Sequence, residues 1–550
     1  MNSRVGGNTR RAIVSLVALF LIVGPRTGAI AGNSWLMGGL DLKNTRNQKS
    51  ESKLDADSVV DLEVKWATVL GSDVSATPAV DGRYVYVPDW SGMLNKLDRE
   101  TGEVVWSRSI VEYTGLPGNL ARTTPAVYKD LLIFGDQGGR ASLLGMTGKA
   151  NLMAVDKESG DLVWLTTLDT HPFAVITQSA TVYQGVVYVG VSSGEELIPA
   201  SAPGYPCCSF RGSMTAVDAN TGELLWRTYT APPGYSGNAI WGSSPAIDKK
   251  RKQVYIATGN NYSAPDGFLI CIEEAGDDRD AQRDCLAPDN YFDAVLALDM
   301  RTGAVNWSNV VIPFDVWTLA CLYGLPNCPG PAGPDFDFGQ APMLMKVKAG
   351  GYGKKKKMDL VGIGQKSGVF WALDADTGEV IWSTKVSPGG VLGGLQWGSA
   401  FDGGRVYTSS ANNQGANRPG KPWTLPDGSS TTFGIWSALD AATGEILWQR
   451  ANPALDRAGG AVSVANGVVY ACSLDPMGRM YAMDAATGDI VWSFESGGSC
   501  NSGAAIARGT VYWGSGYRAA GLNPADTPND IFRAFALPKS RHPKSRGRIH

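Results

Sequence analysis

The chain has 550 residues, with 49 Lys plus Arg against 52 Asp plus Glu and only 3 His. A formal net charge of −3 provides none of the basic surface that nucleic-acid partners need, which excludes that class of partner. The 68 glycines and 17 tryptophans are the composition of an all-β chain with many tight turns.

Residues 1–31 read as a secretory signal peptide. Arg4, Arg10 and Arg11 form a basic region, and Ala12 to Val23 is an apolar run too short to span a bilayer comfortably. Gly24-Pro25 breaks it, and Ala29-Ile30-Ala31 is a small-x-small cleavage site. An uncleaved anchor is the alternative. No later stretch has the makings of a transmembrane segment, so a secreted, periplasmic or extracellular protein is expected.

Residues 32–537 are organised by one repeat, apolar-Asp-x-x-x-Gly-x-x-x-Trp. It runs through Asp98, Asp156, Asp218, Asp299, Asp374, Asp440 and Asp484, each with Gly four and Trp eight positions later. The spacing reads as a hairpin: the Asp closes one strand, the Gly supplies a positive φ, and the next strand carries the Trp. Upstream of most copies lies a further strand, such as Tyr84 to Val87, which makes four strands per repeat and hence a propeller blade. The Trp is placed to pack between blades. Copies stand 44 to 81 residues apart, so several blades carry long loops. An eighth Trp, Trp66, sits on a strand with no hairpin before it, and Ile531 to Leu537 is a strand with no Trp strand after it. Joined, they make one blade from both termini and leave no open edge. The expected fold is an eight-bladed all-β propeller whose last blade is closed by the N- and C-terminal strands; seven blades with a stray strand is the alternative. Residues 538–550 form a basic tail expected to be disordered.

The eight cysteines are an even number, which suits an oxidising compartment. Cys271 with Cys285 and Cys321 with Cys328 are local pairs, and Cys472 with Cys500 could follow. Cys207 and Cys208 are adjacent. Neighbouring Cα atoms lie about 3.8 Å apart, below the roughly 4.4–6.8 Å that disulfides prefer, and such a bond closes almost no loop. A functional reason for the pair is therefore worth seeking. The sequence Gly190-Val191-Ser192-Ser193-Gly194 matches a serine-hydrolase string, but no helix pattern follows it and no His is placed to serve. No Cys-x-x-Cys-His occurs, so no haem is covalently attached. The sequons at Asn261 and Asn306 are both expected to be buried, and the Lys354 to Lys357 run is expected to be a solvated loop.

In their Asp-x-x-Thr-Gly-x-x-x-Trp form the repeats resemble the tryptophan-docking motifs of the pyrroloquinoline quinone (PQQ)-dependent, or quinoprotein, alcohol dehydrogenases. Similar blades occur in non-enzymatic propellers, so the repeats carry the fold and not the function. The likeness spans roughly Trp35 to Leu537. The position of Cys207-Cys208 and the segment Asn44-Thr45-Arg46-Asn47 look most like the polyvinyl-alcohol dehydrogenase branch. The resemblance implies PQQ on the propeller axis between a Cys207–Cys208 ring and Trp241. Ser192-Ser193-Gly194-Glu195-Glu196 resembles the family's Ser-Ser-Gly-Ala-Glu, which makes Glu196 a metal ligand. Thr258-Gly259-Asn260 implies Asn260 as the second, and oxygen ligands of this kind suit Ca²⁺. Lys366 resembles the Lys that bonds the reactive quinone oxygens. Arg122, Thr177 and Ser193 align more loosely with residues that hold the PQQ carboxylates, and Gln396-Trp397 is a weaker match to a family Asn-Trp pair.

The general base departs from the family pattern. Where the family has Pro-His-Asp-x-Trp-Asp, this chain reads Pro313-Phe314-Asp315-Val316-Trp317-Thr318. Thr318 stands at the base position, and Asp315 is the nearest remaining carboxylate. Ala320 stands where lanthanide-using relatives carry a further Asp, which favours Ca²⁺. The expectation is oxidation of an alcohol, a secondary alcohol or polymeric polyol by branch, with electrons passed to a separate acceptor such as a cytochrome or quinone. The alternative is a non-catalytic propeller, a scaffold or a PQQ-binding sensor.

Overall fold

The computed structural model describes residues 33–138, 148–202, 204–242, 244–349, 356–414 and 420–538. The segment expected to be a signal peptide and nearly all of the basic tail lie outside them. The described residues form eight antiparallel four-stranded sheets, one carrying a short extra strand, Ala174–Val175. The first blade shows the pattern: Ala79–Asp81, Tyr84–Pro88, Met93–Asp98 and Val104–Ser109 pair in that order. First strands are buried, whereas fourth strands alternate between exposed and covered residues. The eighth blade takes Glu63–Val69 from one end of the chain and Ile531–Ala536 from the other, with Trp66 opposite Ala534.

The Asp-Gly turn of the docking repeat is alike in the seven blades that carry it. In the second, Asp156 Oδ1 accepts the backbone N–H of Glu158 and Ser159, and Gly160 follows at φ 77°. A β-bulge precedes the Asp in all seven copies, as between Ala216 and Val217, and turns the Trp strand toward the neighbouring blade. The Trp164 indole N–H donates to Ala219 O of the next blade at 3.1 Å. Trp226, Trp307 and Trp448 do likewise, and Trp492 reaches Leu62 O at 3.0 Å and so joins the seventh blade to the eighth, whereas the buried Trp106 and Trp382 indole N–H groups have no partner. Trp66 continues the ring to Arg99 O of the first blade at 2.9 Å.

A strap over residues 35–48 holds the ring from the axis. It offers successive backbone carbonyls to the first strands of six blades: Trp35 to Val80, Leu36 to Val127, Leu42 to Ile247, Lys43 to Leu344, Thr45 to Phe401 and Arg46 to Val464. Gln48 Nε2 reaches the eighth blade at Ile506 O, 2.9 Å away.

Four disulfides form, Cys207–Cys208, Cys271–Cys285, Cys321–Cys328 and Cys472–Cys500, and no described cysteine is free. Asn261 is buried, but Asn306 is exposed, because side chains beside a docking Trp point outward from the rim strand. Lys356 and Lys357 begin a strand, Lys356–Gly364, rather than lying in a loop; Lys354 and Lys355 fall outside the described residues. No helix among the described residues is long and apolar enough to cross a membrane.

Candidate functional site

The widest repeat spacings hold the site. Blade three opens after Val186–Ser193 into a short 3-10 turn, Glu195–Leu197, and the disulfide loop. Blade four inserts two helices, Asp266–Ala275 and Arg279–Asp284, tied by Cys271–Cys285. A third insertion, running from Val311 toward Met343, carries Asp315, Thr318, Asp335 and Asp337. These segments bring five carboxylates and one Lys together.

Lys366 is the hub. Its Nζ donates to Asp335 Oδ1 and Asp337 Oδ2, both at 2.8 Å, and stands 5.4 Å from the Trp241 ring centroid. Burial would lower its pKa, but the charges of Asp335, Asp337 and Glu196 raise it well above the ordinary value, so it stays an ammonium. Asp337 fixes its surroundings: Oδ1 accepts the Asn260 N–H at 2.7 Å and Oδ2 the Trp241 indole N–H at 3.0 Å. The Trp241 ring is therefore held in place by the same carboxylate that holds Lys366.

Asn260 is buried, and its amide nitrogen donates to Asn261 O and Trp317 O, both at 2.8 Å. Both donors are spent, which turns Oδ1 the other way, as a ligand oxygen requires. No described donor hydrogen-bonds to the Glu196 carboxylate, and its pKa is pushed up to about 7 by burial and then by Asp337, against the pull of Lys366. Asp335 Oδ2 and Thr318 Oγ1 are buried without a partner. Asp315 is fully buried; its Oδ1 accepts Asp335 N–H at 3.0 Å and its Oδ2 Phe336 N–H at 2.7 Å. Asp293 lies against it. Burial, then the Asp315 charge, holds the Asp293 pKa far above the carboxylate range, and both Asp293 carboxyl oxygens are buried without a hydrogen-bond partner.

Among the described residues, no group of three or more His, Cys, Asp or Glu side chains could hold a metal ion unaided. The donors nonetheless fit a cation. Glu196 and Asn260 present oxygens that no protein donor occupies, and the cluster's acids outnumber its one Lys.

Beside this cluster lies a half-open cavity of about 540 Å³, solvent at its mouth included, lined by Arg46, Arg122, Thr177, Trp397 and Tyr517 among others. Trp241 and Trp397 meet edge to face at 5.7 Å, and Arg122 stands 5.0 Å from the Trp397 ring centroid. The order Lys366, Trp241, Trp397, Arg122 thus runs from an acidic end to a cationic end past two aromatic walls. Thr177 Oγ1 donates to Trp241 O at 3.0 Å, and Ser193 Oγ accepts Glu195 N–H at 3.0 Å.

The Cys207–Cys208 loop is clamped by Glu195, the residue that replaces the family's Ala. Its buried carboxylate accepts Tyr205 OH at 2.7 Å, Ser209 N–H at 3.0 Å and Phe210 N–H at 2.8 Å, with His171 Nε2 at 3.6 Å. Cys208 packs with Trp241 against the core shared by blades two and three. Sequence reading named Asp315, Lys366, Glu196, Asn260 and Trp241, which the structure brings into one cluster. It missed Asp293, Asp335, Asp337 and Glu195. The alternation Asp335-Phe336-Asp337-Phe338 in a Pro/Gly loop was the available signal, since two acids beside buried aromatics need a cationic partner.

The fold is an eight-bladed propeller with an acidic cluster around Lys366 and two buried arginines beside its axial cavity. A family model described as outer membrane protein assembly factor BamB, of the PQQ type, matches residues 63–311 and 365–528. The chain is 30% identical over 558 residues to a polyvinylalcohol dehydrogenase of Sphingopyxis sp. (strain 113P3), covering 92% of this chain and 77% of that protein. A second polyvinylalcohol dehydrogenase, from Pseudomonas sp., is 32% identical over 472 residues, covering 80% of this chain and 65% of that one. The quinohemoprotein alcohol dehydrogenase of Comamonas testosteroni superposes with a TM-score of 0.67 over 94% of this chain and 83% of that one, at 20% sequence identity, a likeness of fold. The chain belongs to the PQQ-dependent alcohol dehydrogenase family, on its polyvinyl-alcohol dehydrogenase side.

Proposed function

We propose that this enzyme oxidises secondary alcohols or polymeric polyols with PQQ and Ca²⁺ in the axial channel and hands the electrons to a separate cytochrome or quinone. The observation that carries the reading is the charge-polarised channel, with Glu196, Asn260 and Lys366 at one end and Arg122 at the other. When bound, PQQ supplies a two-electron acceptor and the divalent cation a Lewis acid.

The chain's own residues do the rest. Glu196 and Asn260 would hold the cation, with Asn260 oriented by its two carbonyl partners. Lys366, kept charged by Asp335 and Asp337, presents a cation where negative charge develops. Trp241, locked by Asp337, and the Cys207–Cys208 ring would bound the two faces of the cofactor, while Arg122, Thr177 and Ser193 would take its carboxylates. The alcohol proton goes to the Asp315–Asp335 pair. Asp315 is the position singled out by the sequence, and burial raises its pKa to about 6. Asp335 Oδ2 is the oxygen of the pair with no bond of its own. Four disulfides and the leader suit an enzyme exported to an oxidising compartment.

The test is a dye-linked assay of protein reconstituted with PQQ and CaCl₂ on propan-2-ol, pentane-2,4-diol and polyvinyl alcohol. The acting base, replaced as Asp315→Asn or Asp335→Asn, should lower kcat by about 10²-fold or more while PQQ still titrates to one equivalent. The second reading, a PQQ sensor, is favoured by Thr318 at the base position; it predicts stoichiometric PQQ uptake with no dye reduction on any alcohol.

A further inference from the structure

We propose that Arg46 is a cofactor-binding residue: with Arg122 it makes the cationic wall of the axial cavity an acceptor for the carboxylates of a flat aromatic polycarboxylate. The inference rests on the PQQ reading above and deepens it.

Arg46 enters the cavity on the axial strap and is only 4% exposed. Its bonds go to neutral acceptors: Nε to Val462 O at 2.7 Å, Nη1 to Gly38 O at 2.6 Å, and Nη2 to Thr77 Oγ1 at 3.0 Å and Ser463 Oγ at 3.2 Å. No described carboxylate lies within ion-pair distance of it. Burial draws its pKa down to about 10, so it remains charged at neutral pH. A buried guanidinium with only neutral partners is costly unless an anion joins it. Arg122 shares the cavity and the deficit: its Nε is buried without a partner, and its guanidinium faces the rings of Trp397 and Trp90.

The floor is kept bare for Arg46. A Cβ on Gly503 would run into its Nη2 and the Thr77 hydroxyl, and one on Gly398 would touch its Cδ at 3.1 Å. Four of the five guanidinium donors are used, which leaves one for a ligand and the full charge for orientation. The acids around Lys366 repel carboxylates at the opposite end. A flat polycarboxylate stacked on Trp241 is therefore held in one direction, with carboxylates toward Arg46 and Arg122.

The experiment is calorimetric titration of the mature protein with PQQ and with its neutral trimethyl ester, in wild type, Arg46→Lys and Arg46→Gln. Wild type should bind the acid about tenfold or more tighter than the ester. That preference should fall toward unity in Arg46→Gln and be largely kept in Arg46→Lys. A folded Arg46→Gln protein with the wild-type preference overturns the assignment, since a residue that only ties down the strap would lower Tm without changing the ratio. Should Arg46→Gln not fold, Gly503→Ala, which crowds the guanidinium but leaves it in place, is read in the same way. Wild-type protein that binds neither compound overturns the quinone reading itself, an outcome distinct from an unaltered ratio in the variants.

Discussion

At Glu196, burial and the neighbouring Asp337 raise the carboxyl pKa to about 7, and Asp315, buried beside Asp293, is raised to about 6. A carboxyl with a raised folded pKa adds stability that is fully present below its unfolded value, near 4, and is lost as pH rises through the folded value. The metal-free protein should therefore lose stability between about pH 4 and pH 7. A divalent cation on Glu196 and Asn260 offsets that loss only where Glu196 is ionised. Melting curves should show a Tm higher at pH 5 than at pH 7.5 without metal, and a CaCl₂-induced rise of about 2 °C or more at pH 7.5 that shrinks at pH 5. Glu196→Gln should flatten both effects. Equal Ca²⁺ shifts in wild type and Glu196→Gln would remove Glu196 from the metal site. Residues at this scale were unevenly legible in the sequence. Glu196 and Asn260 sit in short motifs with fixed local geometry. Asp335 and Asp337 both pair with Lys366, which is 31 and 29 positions away, and no local pattern encodes such a pairing.

The blade hairpin is the element on which the ring depends. Gly222 has φ 76°, and a Cβ there would lie 2.8 Å from the Trp164 ring of the preceding blade. Gly222→Ala should cost roughly 1–3 kcal/mol by combining backbone strain with overpacking. Gly428 has φ 84° but open space around it, so Gly428→Ala should show the backbone part alone. Urea unfolding of the two variants separates the terms; equal losses would mean that the tryptophan dock contributes nothing. The outline of this element was readable from the sequence, because Asp, Gly and Trp at fixed offsets mark a strand end, a positive φ and a side chain packed between blades; the Asp cap and the indole donors came from the structure. The hydroxyls that reinforce it, such as Thr166 Oγ1 on Gly222 O at 2.6 Å, follow the Trp by two positions and were overlooked.

Across the whole molecule, two devices close the circle. The shared eighth blade joins the chain ends, and the strap at residues 35–48 ties six first strands from the axis. The first followed from unmatched strands at the two termini. The second could not be read in advance, because its bonds come from backbone carbonyls that leave no side-chain signature. The strap also brings Arg46 into the channel, so ring closure and the cationic wall share one segment. Opposite it, the loop of blade three and the insertion from Val311 toward Met343 deliver the acids. We hold that this polarised channel binds PQQ together with a cation. The direct test is titration of the mature protein with PQQ, with and without Ca²⁺, followed by tryptophan fluorescence. Tight, Ca²⁺-dependent quenching that is lost in Glu196→Ala is expected; absence of quenching in both conditions overturns it.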